Sequence, residues 1–216
     1  MSTPLLQVAL DQTALPEALA ASNSLAPGVD IIEAGTILCA AEGARAVEAL
    51  RALYPDHTLV ADLKVADAGS TLAEMVMSRG ADWMTVICCA PYATMEKALE
   101  VGDKYEGDIQ IELYGEWTFE QAEKWRSLGL RQAIYHRGRD AQAAGKKWDD
   151  EDLGKIRRLA EMGFELSVTG GLTPEDIATF AGIPVKAFIS GRTLYGDPDP
   201  LASAERFRRA IAEHWS

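Results

Sequence analysis

Short apolar runs recur along the chain, and stretches with helical periodicity separate them. The runs start roughly 22 to 33 residues apart, which is the length of one strand–helix unit. They predict eight strands, at residues 5–10, 30–34, 58–63, 83–87, 108–113, 132–135, 165–168 and 187–189. Because a helical stretch separates each strand from the next, the pattern predicts parallel pairing.

The stretch from 118 to 128 shows the helical signal most clearly. Every third position is apolar, namely Phe119, Ala122, Trp125 and Leu128. This spacing places the four side chains on one broad helix face. Thr118 followed by Gln121 predicts a capping box at the start, and Gly129 is a stop signal.

Eight such units, without a linker rich in proline, glycine or serine, predict a single (β/α)8 TIM barrel over residues 1–216. A doubly wound open sheet is the structural alternative, because hydrophobic periodicity does not show whether a sheet closes. At 216 residues, a barrel is near the short end of its range, so we expect no long insertions.

Composition and charge narrow the class of protein. The formal charge of -12 argues against broad nucleic-acid binding, which requires many basic side chains. We expect neither a membrane span nor a signal peptide, because no apolar run or basic amino-terminal segment of the required kind is present. Cys39, Cys88 and Cys89 form no CxxC pair, so we expect three small buried hydrophobic residues in a protein of the reducing cytosol.

Ionisable residues lie at or just after the carboxyl ends of six of the eight predicted strands. They are Asp11, Glu33, Asp62, Glu112, His136 and Arg192. In a parallel barrel, the carboxyl ends of the strands lie at one face, where TIM barrels build their active sites. The pattern therefore predicts one shared site at that face.

The sharpest motif within this set is Asp62-x-Lys64-x-x-Asp67. Residues two apart in a strand point to the same side, so Asp62 and Lys64 are expected to face one cavity, with Asp67 on the following loop. Alternating charges in a confined site can stabilise an oxyanion as it develops. A surface ion-pair cluster is the alternative interpretation of the spacing.

A metal ion is also indicated. Glu33 and Asp62 would end neighbouring strands, and two carboxylates suit Mg²⁺, which keeps water and substrate oxygens in its shell. His57 and His214 are expected at the surface, whereas His136 is placed for chemistry. The nearby Arg137 and Arg139 favour an anionic substrate.

The last two strand–helix units predict a phosphate site. Thr169, Gly170 and Gly171 leave strand seven and enter a helix, and Ser190-Gly191-Arg192 follows strand eight. Glycines let backbone N–H groups approach a ligand, and a helix N-terminus favours an anion. TIM barrels often bind phosphate at these two loops.

The D-x-K-x-x-D run resembles the signature of the orotidine 5′-monophosphate decarboxylase suprafamily. Within it, the chain most resembles the 3-keto-L-gulonate 6-phosphate decarboxylases, over the segments LQVALD, VDIIEAGTILC, ADWMTVICC, IELYGEWTFEQA, YHRGRDAQAAG, MGFELSVTGGL and ISGR. Tyr114 and Glu116 depart from the usual residues after Glu112, and Tyr114 is expected to alter the pocket. Leu63 also departs from the usual small residue and is expected to point away from the cavity.

The resemblance implies a homodimer with active sites at the subunit interface, where Asp67 reaches the partner's site. It implies Mg²⁺ on Glu33 and Asp62, and loss of CO₂ from a β-keto acid phosphate to give L-xylulose 5-phosphate in L-ascorbate catabolism. Lys64 would stabilise the enediolate, and His136 and Arg139 would guide the proton.

The remaining site residues follow from the same resemblance. Glu112 and Asp11 would bind substrate hydroxyls or orient Lys64. The phosphate would lie on Thr169, Gly170, Gly171, Gly191 and Arg192.

Four alternatives are open, of which a ribulose-phosphate epimerase would require more histidines at the strand ends for its metal. A 3-hexulose 6-phosphate synthase shares the fold and the metal site, but Arg139, Glu112 and Thr169 favour the decarboxylase. Orotidylate decarboxylases carry a lysine at the position of Glu33. A non-catalytic sugar-phosphate-binding barrel would bind ligand without turnover.

Overall fold

Eight parallel strands pair in chain order, and the last strand pairs with the first. The computed structural model describes residues 2–215. β8 pairs with β1 through Leu5 opposite Ala187, which closes the sheet into a barrel. The strands are β1 Leu5–Leu10, β2 Ile31–Ala34, β3 Thr58–Val65, β4 Trp83–Ile87, β5 Asp108–Leu113, β6 Gln132–His136, β7 Glu165–Thr169 and β8 Val185–Ser190. The predicted (β/α)8 barrel is therefore confirmed, and closure excludes the open sheet.

Helices connect the strands. They are α1 Leu15–Leu25, α2 Thr36–Glu42, α3 Arg45–Leu53, α4 Gly69–Met77, α5 Tyr92–Lys104, α6 Phe119–Ser127, α7 Arg139–Ala143, α8 Asp150–Glu161, α9 Arg192–Tyr195 and α10 Pro200–His214. Short 3₁₀ helices occupy Ala26–Gly28 and Pro174–Phe180. In the described part of the chain, no helix is both long enough and apolar enough to cross a membrane.

Local sequence determines where α6 begins. The Thr118 side chain accepts a hydrogen bond from the backbone of Gln121, and the Gln121 side chain accepts one from the backbone of Thr118. This reciprocal pair is the predicted capping box, and it satisfies two donors that a helix start leaves free. Ala122 and Trp125 are buried against the barrel, as their spacing predicts.

The two faces of the strands carry different side chains. Alternate residues such as Leu6, Val8 and Leu10 point outward and join the main hydrophobic core beneath the helices. The barrel interior has a small separate apolar cluster of Ile31, Val60 and Ala187. Buried polar side chains also face the barrel interior, including Gln7, Thr85, Gln110, Gln132 and Ser167. The outer face therefore supplies the core, and the inner face leads into a polar site.

The strand predictions differ from the structure mainly in β3 and β8. β3 continues two residues beyond the predicted end to Val65, and β8 begins at Val185 instead of residue 187. In β3 the pairing with β4 shifts register between Ala61 and Val65. This bulge carries the charged motif, and hydrophobic alternation alone does not reveal it.

The cysteines are free, and only two of the three are buried as predicted. Burial raises the pKa of the Cys39 thiol to about 12, with the nearby Asp62 and Glu33 charges adding to the effect. Cys88 is also buried, but Cys89 is exposed, so the prediction for Cys89 was wrong. Cys89 lies in the turn that follows β4, where the chain leaves the barrel wall.

Candidate active site

A cavity of about 860 Å³ opens at the carboxyl ends of the strands. It brings together nearly all the site residues predicted from the sequence. Those that line it are Asp11, Glu33, Asp62, Lys64, Glu112, His136, Arg139, Thr169, Gly170, Gly171, Gly191 and Arg192. The fold thus gathers residues from seven strand ends around one space, as the barrel topology requires.

Lys64 lies at the centre of this charged group. Its ammonium forms an ion pair with Asp62, lies 3.2 Å from Oε1 of Glu112, and donates a hydrogen bond to Oγ1 of Thr36 at 2.8 Å. Burial opposes the charge on Lys64, but the carboxylates of Glu112 and Asp62 outweigh burial and raise its pKa. Lys64 is therefore held as a cation.

The backbone at Lys64 departs from a regular strand. Its φ is +45°, in the left-handed region that side chains other than glycine seldom adopt. The Lys64 N–H donates to Oγ1 of Thr85 at 2.8 Å, and that hydroxyl donates to Oδ1 of Asp62 at 2.7 Å. Thr85 thereby holds both charged residues, and the bulge lets Asp62 and Lys64 face one cavity while Leu63 does not line it.

The carboxylates around Lys64 differ in their pKa. Burial and the neighbouring charges of Asp62 and Glu112 raise the pKa of Glu33 well above its ordinary value. Burial would also raise the pKa of Asp62, but Lys64 and the hydroxyls of Thr36 and Thr85 outweigh it and lower that pKa. Of these two carboxylates, Glu33 is therefore the one whose pKa is raised, by burial and by the repulsion between like charges.

Asp11 completes the acidic group from β1. Burial and the Asp62 charge raise the pKa of Asp11, against the opposing effect of Arg139 and Lys64. Gly35 makes this placement feasible, because a Cβ there would lie 2.4 Å from Oδ1 of Asp11. Glycine at 35 thus accommodates the carboxylate, and a Cβ there would also lie 2.8 Å from the Leu10 carbonyl oxygen.

This donor set fits a divalent cation. Glu33 and Asp62 both face the cavity, and a cation would relieve the repulsion that raises the pKa of Glu33. Within residues 2–215, no group of three or more His, Cys, Asp or Glu side chains is arranged to hold a metal ion. Two carboxylates match Mg²⁺, which takes its remaining oxygens from water and substrate.

His136 is oriented by two neighbours. Its Nδ1 lies 2.5 Å from Oε1 of Glu112. The Tyr114 ring meets the imidazole edge-on, with centroids 5.3 Å apart and an interplanar angle of 87°. The imidazole is therefore held at one nitrogen and packed against an aromatic ring.

The two arginines after His136 have different surroundings. Arg139 begins α7, is exposed and lines the cavity. Arg137 is buried outside the cavity, where its guanidinium donates to the carbonyl oxygen of Gly170 and lies over the Trp148 ring. Arg137 therefore supports the loop after β7, which corrects the expectation that both arginines attract the substrate.

The loops after β7 and β8 form the other end of the cavity. Gly170 has φ +123° and Gly171 φ +60°, values that favour glycine. A Cβ on Gly170 would also lie 2.3 Å from the carbonyl oxygen of Arg137. The backbone at these glycines, with Gly191 and Arg192 after the neighbouring β8, leaves room and donors for an anion.

The remaining predicted residues lie apart from the cavity. Asp67 is exposed on the loop after β3, and its side chain accepts a hydrogen bond from the Ala68 N–H. His214 is exposed, as expected. His57 is only partly exposed, because its ring packs beside Tyr54 and hydrogen-bonds the Ala26 carbonyl.

Sequence reasoning missed three residues that hold the charged group. They are Gln7, Thr36 and Thr85. Gln7 donates to Oε2 of Glu33 at 2.5 Å, and Thr36 donates to Oδ2 of Asp62 at 2.5 Å. For Gln7 and Thr85, an inward-facing polar residue in an otherwise apolar strand was the available signal, since a buried polar group requires a partner. Thr36 begins α2, so this signal does not apply to it.

The closed barrel and its charged cavity define a (β/α)8-barrel enzyme. The chain belongs to the orotidine 5′-phosphate decarboxylase / HUMPS family, whose model matches residues 4–207. It is 51% identical over 215 residues to the 3-keto-L-gulonate-6-phosphate decarboxylase UlaD of Escherichia coli O17:K52:H18, with 100% of both chains covered.

Two solved structures extend this comparison. The structure of KGPDC from Streptococcus mutans has a TM-score of 0.98 and 45% identity, with 100% of both chains covered. The 3-hexulose-6-phosphate synthase from Salmonella typhimurium has a TM-score of 0.91 but only 26% identity, over 97% of this chain and 99% of that one. The barrel is common to both activities, whereas sequence similarity is greater to the decarboxylase.

Proposed function

We propose that this chain decarboxylates 3-keto-L-gulonate 6-phosphate to L-xylulose 5-phosphate and CO₂. The observation that carries the choice of substrate is the 51% identity to a decarboxylase of that substrate over the full length of both chains. The cavity supports it independently, because a lysine, a histidine and several carboxylates surround a space with an anion-favouring end.

Substrate binding begins at the phosphate. We assign the phosphate to the backbone of Gly170, Gly171 and Gly191, the hydroxyl of Thr169 and the guanidinium of Arg192, which line one end of the cavity. We assign Glu112 and Asp11 to binding the substrate hydroxyls or to orienting Lys64. Binding energy from the phosphate can then position the reacting carbons beside Lys64.

Loss of CO₂ leaves the electron pair of the broken C–C bond on the substrate as an enediolate. The Lys64 ammonium, held by Asp62, Glu112 and Thr36, is preorganised to stabilise the negative oxygens as they develop. Glu33 and Asp62 would hold Mg²⁺, which when bound supplies Lewis-acid stabilisation of such oxygens.

The enediolate must then gain a proton at the carbon that lost CO₂. His136 and Arg139 line the cavity near each other in sequence, and we assign them to deliver that proton through water. Glu112 keeps the imidazole in one orientation through its contact with Nδ1.

We further propose a homodimer in which Asp67 completes the partner's site. Asp67 is exposed at the end of the charged motif and does not line the cavity of its own subunit. If Asp67 acts in catalysis, it would therefore act in the active site of a second copy of the chain. L-Ascorbate catabolism is the pathway that this substrate and product imply.

The test is CO₂ release from 3-keto-L-gulonate 6-phosphate, measured with Mg²⁺, after EDTA, and after Mg²⁺ is restored. A parallel assay offers formaldehyde and D-ribulose 5-phosphate, because the synthase shares the barrel at a TM-score of 0.91. We expect metal-dependent decarboxylation that clearly exceeds condensation. Condensation without CO₂ release would make the chain a synthase, and sugar-phosphate binding without either reaction would make it a binding barrel.

A further inference from the structure

Tyr114 forms part of the wall between two cavities. It lines the main cavity and also a second one of about 270 Å³, and His136 lines both as well. Tyr114 follows β5 by one residue and lies two positions after Glu112. Its ring therefore lies where the reaction site meets the neighbouring space.

The backbone of Tyr114 is anchored at both of its polar groups. The thiol of Cys88, which directly follows β4, donates to the Tyr114 carbonyl at 3.2 Å and accepts from the Tyr114 N–H at 3.5 Å. Cys88 is itself buried. The ring thus projects from a held backbone, although 40% of the Tyr114 residue is exposed.

The Tyr114 ring contacts His136 and Gly138. Both lie in the segment 136–139, which contains the two residues assigned to proton delivery. The ring meets the His136 imidazole edge-on at 5.3 Å, an arrangement favoured between aromatic rings. It also covers Gly138, where a Cβ would lie 2.6 Å from the Tyr114 hydroxyl oxygen and 2.9 Å from Cζ. Gly138 has φ -50°, which any residue can adopt, so a side chain there would be limited by the space beside the Tyr114 ring and not by backbone conformation.

We propose that Tyr114 is the positioning residue that holds His136 and the Gly138–Arg139 turn in place for protonation of the enediolate. The proposal rests on the proposed function for its chemistry. Glu112 holds one edge of the imidazole through Nδ1, and Tyr114 packs against the ring, so the two together determine its plane. Without the Tyr114 ring, the two cavities join and the imidazole gains room to rotate.

Kinetics and product labelling test this role in the intact enzyme. In Tyr114→Ala, we expect kcat for decarboxylation to fall roughly tenfold while KM changes less than about threefold. In D₂O, the ratio of the two deuterated product stereoisomers should shift. Tyr114→Phe should keep both properties, because the edge-on contact requires the ring and not the hydroxyl. Tyr92→Ala is the matched control, since Tyr92 is similarly exposed, at 38%, and lies outside both cavities.

The Gly138 contact supplies a second test. Gly138→Ala should lower kcat because its methyl group would displace the Tyr114 ring, and the Tyr114→Ala/Gly138→Ala double variant should lose less than the two single losses combined. An unchanged isomer ratio in Tyr114→Ala, a change in KM alone, or strictly additive losses in the double variant would each overturn the proposal.

NMR of His136 separates this proposal from the proposed function. In the unliganded protein, Tyr114→Ala should shift and broaden the His136 ring signals, whereas Tyr114→Phe should leave them near their original positions. Unchanged His136 signals would refute the positioning role even in an active decarboxylase. If the unmutated enzyme released no CO₂, the proposed function would fail while the His136 signals still decided whether Tyr114 positions the ring.

Discussion

The hydroxyl of Thr85 accepts a hydrogen bond from the backbone N–H of Lys64, with the two atoms 2.8 Å apart. The same hydroxyl donates to Asp62, so one buried side chain from β4 holds the bulged backbone of β3 and its carboxylate together. This link explains how Lys64 is kept at φ +45° beside the acid that neutralises it.

Thr85→Val retains the shape of the side chain and removes this link. We expect the free energy of unfolding to fall by about 1–3 kcal/mol, because a buried N–H and a carboxylate oxygen lose their partner. We also expect kcat to fall roughly tenfold through displacement of Lys64. Thermal denaturation and CO₂ release measure the two effects, with the exposed Thr179→Val as control. Unchanged kcat would show that Lys64 does not depend on Thr85.

Lys64→Ala should lower kcat for CO₂ release by at least about 100-fold, because a preorganised cation beside the developing enediolate is lost. The fold should persist, because alanine is no more strained than lysine at the positive φ of this position. Circular dichroism checks this. Lys97→Ala on α5 removes an exposed lysine of the same kind. Turnover near that of the unmutated enzyme would remove Lys64 from the mechanism.

Glu33→Gln should change how the metal-free protein responds to pH. The pKa of Glu33 is raised above 4.5 in the folded state, so its stabilising contribution is complete below that pH and is lost as pH rises through the raised pKa. In EDTA, stability should therefore decline less toward alkaline pH in Glu33→Gln than in the unmutated protein.

Thermal denaturation across pH measures this difference, and the exposed Glu123→Gln is the control. Added Mg²⁺ should raise the Tm of the unmutated protein more than that of Glu33→Gln, because binding to the folded state stabilises it. An equal response to Mg²⁺ in both proteins would place the metal away from Glu33.

Arg139→Val should reduce kcat more than it raises KM, because the guanidinium is assigned to the proton and not to the phosphate. Arg139 is exposed, so the free energy of unfolding should change by less than about 0.5 kcal/mol. Arg192→Val, which removes the guanidinium assigned to the phosphate, should instead mainly raise KM. A dominant KM effect in Arg139→Val would assign this arginine to phosphate binding.

Mixing two inactive variants tests the assignment of Asp67. Lys64→Ala and Asp67→Asn should each be inactive alone, but a 1:1 mixture of exchanging subunits should recover about a quarter of normal activity. Half the dimers would be mixed, and one of their two sites would contain both native residues. Size-exclusion chromatography confirms the dimer. Absence of recovery despite demonstrated exchange would show that Asp67 does not act across an interface.

Much of the fold was predictable because it depends on local pattern. The apolar runs located all eight strands, with β1, β4 and β5 matched at both ends. The capping box at Thr118 also depends on residues close in sequence. Barrel topology then implied that the residues following the strands would meet, which is how the sequence indicated one cavity.

The sequence by itself determined which elements form and which ionisable residues stand at their ends. Only the tertiary structure decided the pairing of β8 with β1, the burial of Arg137 away from the cavity and the exposure of Cys89. It also decided that Thr85 links Asp62 to Lys64 and that Tyr114 covers Gly138. Such contacts join residues far apart in the sequence, and their energy depends on distances that exist only after the barrel has closed.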